Sequence, residues 1–161
     1  MSPRSAALAL FVALVTTACG FQLQGRTPLP PALANTYVVA GDQQSDFVQG
    51  LRKALITNGG KLASKSEDAS GTVRIITDSV TQKILSVSAN NVPREYEITY
   101  TVEFSVSAPG KELLPSQKVE VTRNYSFNER TLLAKENEED ILRECMARDL
   151  VGIVMRRLSS L

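Results

Sequence analysis

The hydrophobic pattern is clearest from Glu95 to Val106, where every even position is apolar or aromatic and every odd one polar. A period of two over such a run predicts a strand with one buried and one wet face. Lys118 to Phe127 alternates in the same way, with Val119, Val121, Tyr125 and Phe127 sharing a face with Arg123. Thr72 to about Ser88 is rich in β-branched residues. Val73 and Ile75 mark one face there, and Ile76 breaks the alternation, which predicts a bulge near Ile76. Turn residues separate these runs, Ala89 to Pro93 in one case and Pro109-Gly110-Lys111 in the other. The three strands read as an antiparallel meander, because a single solvated face is a property of antiparallel sheets.

Two segments carry the helical period instead. Phe47, Leu51, Leu55 and Asn58 recur at helical spacing, widened by Val48 and Ala54. Ser45 is placed to cap the start and Gly59-Gly60 to stop the end. From about Leu133 to Leu158, the residues Ile141, Leu142, Cys145, Met146, Leu150, Ile153, Val154 and Leu158 form a wide apolar stripe. Glu136, Glu138, Glu139 and Asp140 crowd its first turns and Arg156 and Arg157 its end, as the helix dipole favours. Glu139 with Arg143, and Glu144 with Arg148, are spaced for ion pairs one turn apart. A short strand, Thr36 to Val39, precedes the first helix. The order is β-α-β-β-β-α, an α+β fold with two helices on one face of a four-stranded, mostly antiparallel sheet. The first strand has two possible places, within that sheet or parallel to an edge of the meander.

The first twenty residues change the setting of this domain. Arg4 precedes the apolar stretch Ala6 to Val15, and small residues run into Cys19. The stretch is too short to span a bilayer, which takes about 20 residues, and reads as a secretory signal to be set aside from the fold. A cysteine at the cleavage point marks a lipoprotein signal, in which the thiol takes a diacylglycerol and the freed amine is acylated. The expected organisation is a cleaved signal peptide at 1–18, a lipidated tether at 19–34 and one domain at 35–161. Gly20 follows the cysteine. An Asp there would direct retention in a bacterial inner membrane, so the outer membrane, facing the periplasm, is expected. Phe21, Leu23 and Leu29 of the tether are left with two readings, packing on the domain or touching the membrane surface.

Composition removes several function classes. The chain has 18 basic and 17 acidic residues and no histidine. Near neutrality gives no bulk attraction to nucleic acid. No acidic pair has a context that marks it as catalytic, and the Glu136–Asp140 run reads as a helix start. With Cys19 acylated, Cys145 is the remaining thiol. It lies on the apolar stripe, where a buried, inert side chain is expected, and no histidine exists to activate it. An enzyme, a metal site and a cofactor are all unexpected. Two features stand apart. Arg123 occupies an apolar-phase strand position, either at a sheet edge with its stem buried or as a paired charge or anion contact. Arg130 to Lys135, RTLLAK, places basic residues beside Leu132 and Leu133. That suits a phosphorylated, acylated ligand, and equally suits ordinary loop packing.

Taken in order, these pieces resemble a known family. Cys19-Gly20-Phe21-Gln22-Leu23-Gln24-Gly25, the helix ending in Asn58-Gly59, Arg94-Glu95-Tyr96, Val121-Thr122-Arg123-Asn124-Tyr125-Ser126-Phe127 and Leu133-Ala134-Lys135-Glu136-Asn137-Glu138-Glu139-Asp140 resemble the LptE-type (RlpB) lipopolysaccharide-assembly lipoproteins of Gram-negative outer membranes. The resemblance implies the same two-helix, four-stranded fold. It implies an LptD-type outer-membrane β-barrel as partner, plugged and helped to fold by the lipoprotein, and binding of lipopolysaccharide during its insertion into the outer leaflet, with no covalent reaction. Lys135 matches the basic position of the family's Leu-Ala-Lys motif. The family's other basic candidate lies in the loop between the second and third strands, here Ser88 to Arg94, where the charge appears only at Arg94. Lys135, Arg94, Arg123 and Arg130 are the expected lipopolysaccharide contacts, since phosphates favour Arg and Lys. The alternative is a periplasm-facing adaptor that binds another protein and no glycolipid.

Overall fold

The structure is a computed structural model and describes residues 28–126 and 132–161, with the side chains of the last helix described from Glu139 onward. Five strands form one sheet: β1 (Asn35–Val39), β2 (Lys61–Leu62), β3 (Gly71–Val87), β4 (Pro93–Ala108) and β5 (Lys111–Ser126), in the order β2-β1-β3-β4-β5. The helices are α1 (Asp46–Thr57) and α2 (Leu132–Ser159). The expectation of four strands is corrected by β2, whose two residues are too few to show a period. The expectation of a mostly antiparallel sheet is corrected at β1, which runs parallel to both β2 and β3. The reason is the connection: α1 carries the chain back along the sheet, so the next strand starts in the same direction as β1. Of the two places open to the first strand, it takes the one parallel to the edge of the meander.

Local chemistry sets the ends of α1. Ser45 Oγ accepts the Val48 amide at 3.1 Å, the cap that the sequence places there. Gly59, at φ +90°, donates to Ile56 O, and Gly60 donates to Leu55 O at 2.9 Å. These two bonds close the helix in the left-handed turn that glycine tolerates. Residues 29–33 then fold against this end. Leu33 is fully buried, Leu29 packs on the core, and a short 3-10 turn spans Pro31–Leu33. Of the two readings of Leu29, packing on the domain is the one the structure takes.

The core lies between both helices and the face of the sheet carrying Ile98, Tyr100, Val102, Phe104 and Val106. On β3 that face changes phase. Ile75 pairs with Phe104 and Thr77 with Glu103, leaving Ile76 as the bulged residue the broken alternation predicts. Beyond it Asp78, Val80, Gln82 and Ile84 stand opposite Val102, Tyr100, Ile98 and Tyr96, on the helix side. The stripe of α2 is corrected by one step around the helix. Met146, Ala147, Leu150, Val151, Val154, Met155 and Leu158 are buried, whereas Ile141 is 60% exposed and Cys145 is exposed. Cys145 is therefore not the buried thiol expected. The core-facing row passes through Met146 and Ala147 instead, since α2 packs on both α1 and the sheet.

Candidate ligand and partner surface

The meander is longer than the helix that covers its parallel edge. At about 1.5 Å per residue α1 is about 18 Å long, while β3 at about 3.3 Å per residue runs about 56 Å. The far half of the β3–β4 hairpin projects as a result. Val80, Ile84, Leu85 and Val87 are all exposed, Ile84 by 50%. Exposed large apolar residues gathered on one projecting hairpin point to a contact surface. Alternation placed Val73 and Ile75 on one face and gave Val80 and Ile84 none beyond the break at Ile76; the missing signal was length, strand against helix.

At the end of this projection lies Arg94, exposed in the second position of β4 after the turn in which Asn91 adopts φ +62°. Its neighbour Glu95 pairs with both Ser86 and Ser126. The sheet register thus brings Arg94 close to the end of β5, from which the chain leads to α2. Lys135 lies in the first turn of α2 by its backbone. RTLLAK is therefore helical from Leu132, not wholly a loop. Arg130 and Cys19 lie outside the described residues.

The wall beneath Arg94 is aromatic and polar. Tyr96 and Tyr125 stack across β4 and β5, centroids 5.2 Å apart and planes 15° apart. Tyr125 Oη accepts from Gln82 and bonds the Glu139 carboxylate, so β3, β5 and α2 meet at one hydroxyl. Burial, then the Glu139 charge, push the Tyr125 phenol above its usual range. Glu139 turns to Tyr125, and the expected Glu139–Arg143 pair is replaced. Arg143 contacts Asp140 at 3.0 Å and reaches Asp46 of α1 at 3.3 Å.

Arg123 sits on edge strand β5, half exposed, with Nη2 2.7 Å from Asp149 Oδ2 of α2. Of the two readings of that residue, the paired charge is the one the structure takes, at a position on the sheet edge. Arg123 and Arg94 are not brought into one cluster, because Arg123 pairs with Ile98 on β4 and the Tyr96–Tyr125 pair lies between. Among the described residues no group of His, Cys, Asp and Glu is arranged to hold a metal ion. No described helix is long and apolar enough to cross a membrane.

The fold and these surfaces define an α+β binding domain, with an amphiphilic hairpin end and basic positions around it. Its sequence matches the LptE family, described as lipopolysaccharide-assembly, over residues 33–158, and the chain belongs to that family. It is similar to the LPS-assembly lipoprotein LptE of Yersinia enterocolitica, 31% identical over 90% of this chain and 70% of the relative. The Yersinia pestis protein of the same name is 32% identical over the same shares. Among solved structures, the rare lipoprotein B of Shewanella oneidensis superposes with a TM-score of 0.68 at 30% identity, covering 78% of this chain and 94% of the other. Lipoprotein B of Nitrosomonas europaea gives 0.72 at 28% identity, covering 88% and 91%. The protein is thus a lipoprotein-family member with a role in lipopolysaccharide assembly.

Proposed function

We propose that this protein is anchored in the outer membrane by acyl chains on Cys19, plugs an LptD-type β-barrel and assists its assembly. In this reading it binds lipopolysaccharide on its way to the outer leaflet and catalyses no covalent step. The family match over residues 33–158 carries the proposal. The hairpin end gives it chemical sense. Exposed Val80, Ile84 and Val87 offer apolar surface to an acylated ligand or a barrel lining, and Arg94 supplies a cation beside them. Lys135 and Arg130, on either side of the start of α2, are the further phosphate contacts in this proposal, with guanidinium and ammonium groups suited to phosphate oxygens.

The test is recovery of the native lipoprotein from gently solubilised outer membranes. A stoichiometric large β-barrel in the eluate, together with weaker lipopolysaccharide binding by folded Lys135→Glu and Arg94→Glu proteins, is the expected result. A lone lipoprotein, in detergent that preserves barrel complexes, would replace the plug with a free adaptor. Unchanged glycolipid binding in both variants would remove these residues from the site.

A further inference from the structure

A groove of about 450 Å³ runs between edge strand β5 and α2, away from the hairpin end. Arg123, Arg148 and Arg156 line it, with Asp149 as the carboxylate among them. Asp149 is already engaged by Arg123 at 2.7 Å. Among the described residues no carboxylate pairs with Arg148 or Arg156, which leaves the groove with a net charge of two positive units on a chain that is almost neutral overall.

The spacing gives the groove its shape. Arg148, Gly152 and Arg156 are four residues apart, one above the other on the same face of α2. Glycine costs about 1 kcal/mol against alanine inside a helix, and here its missing side chain opens the floor between two guanidinium groups. The Arg156 side chain already folds back over it, with Nη1 3.6 Å from where a Cβ on Gly152 would stand. Arg156 folds back over Gly152 and Arg148 lines the same groove, their backbones about 12 Å apart along the helix, so an oxyanion seated there meets two guanidinium groups. Planar guanidinium forks bind phosphate oxygens in bidentate fashion. The groove is open to solvent, so a small oxyanion can reach both arginines directly.

We infer that the groove between β5 and α2 is a phosphate-binding site, held by Arg148 and Arg156 across Gly152, with Arg123 positioned by Asp149 at its rim. As a site for phosphorylated glycolipid it rests on the function proposed above; as a site for phosphate it stands alone. Its ligand is a phosphate group, carried as a monoester on a glycolipid headgroup or present as free inorganic phosphate.

The experiment uses the full lipidated protein in detergent and three variants: Arg148→Gln with Arg156→Gln, Gly152→Leu, and Lys135→Glu. Gly152→Leu keeps every charge and fills the floor, so general attraction survives while the site does not. Binding of lipopolysaccharide, before and after phosphatase treatment, is measured by calorimetry, and inorganic phosphate is followed through the arginine Nε–Hε resonances. The expected result is at least tenfold weaker binding of the phosphorylated glycolipid by both groove variants, with the treated glycolipid bound equally weakly by all. Saturable shifts with inorganic phosphate alone identify phosphate itself as sufficient; shifts with glycolipid only identify the headgroup as the source. Either supports the site. Folded groove variants that bind as the parent, while Lys135→Glu binds less, overturn the groove and leave the proposed function standing. A parent that binds phosphate but no lipopolysaccharide retains the groove and removes the glycolipid reading. No phosphate effect, with loss of the barrel partner in the double variant, overturns the site in favour of a contact with acidic protein side chains.

Discussion

Ser45 donates its hydroxyl to Asp78 Oδ2 at 2.5 Å while its oxygen caps the Val48 amide, so one side chain joins the start of α1 to β3. Tyr100 of β4 also bonds Asp78. The contact exists only because the bulge at Ile76 turns Asp78 toward the helices. Replacing Asp78 by alanine leaves a buried phenol and a cap hydroxyl without their acceptor. A loss of about 1–3 kcal/mol is expected, read as a lower urea midpoint with an unchanged slope.

The same cluster gives a pH dependence. Burial first, then the Asp78 charge and hydrogen bond, raise the Tyr100 phenol well above its usual value. Tyr125 is raised in the same direction. A raised folded-state value means stability that is complete below the unfolded phenol value of about 10 and is lost as pH rises toward the folded one. Above that point the unfolded chain releases protons that the native chain retains. Unfolding midpoints from pH 8 to 11 should fall above about pH 10, and Tyr100→Phe should flatten the decline. An equally steep fall in the variant would exclude Tyr100 as its source.

Gly71 begins β3 directly under the incoming chain, where an added Cβ would lie 2.4 Å from the Ala32 carbonyl oxygen. Backbone cannot yield cheaply at that distance, so Gly71→Ala should destabilise by about 2–3 kcal/mol. Gly41→Ala meets nothing within 4 Å and should stay within about 0.5 kcal/mol. Similar urea curves for the two would show that the Pro31–Leu33 turn shifts freely.

Exposed hairpin residues should separate folding from function. Val80→Glu with Ile84→Glu is expected to change stability by no more than about 0.5 kcal/mol per site, as surface substitutions do. The same protein should lose barrel partner or glycolipid in co-purification. Full recovery of both would show that the exposed apolar run has no part in either contact.

Cys145 offers a direct check on the packing of α2. Its exposure predicts labelling by a thiol reagent in native protein, at a rate close to that in denaturant. A protected thiol would return the helix to the orientation its apolar stripe first implied.

Much of the fold was legible because single residues carried local physics. The Ser45 cap, the Gly59-Gly60 stop and the Ile76 bulge each act within a few residues of chain. Alternation in β4 fixed the core face, since every even residue had to turn the same way. The errors arose where more than one element decides. β2 is a two-residue strand formed by neighbours, and its parallel direction comes from the α1 connection. Ile141 and Cys145 fit the helical period but lie on the flank of α2 that neither α1 nor the sheet reaches. At the site, Arg123 was visible as an anomaly of phase, while its partner Asp149 was not, because the contact joins an edge strand to a helix. Arg148, Gly152 and Arg156 share a face by spacing alone, yet only the adjacent β5 edge makes that face a groove.

The clamp on the incoming chain also sets a working radius. Leu29 presses over Gly60 and Ala32 over Gly71, so if Cys19 carries the proposed acyl chains, residues 19–27 are the length of chain between anchor and domain. A fully stretched chain covers at most about 3.3–3.6 Å per residue, or roughly 30 Å for such a leash. That is about the thickness of a bilayer's hydrocarbon layer. Under the proposed anchoring, the domain would not patrol the periplasm; it would be restricted to a shell against its own membrane, where the proposed barrel would be within reach and a distant membrane would not.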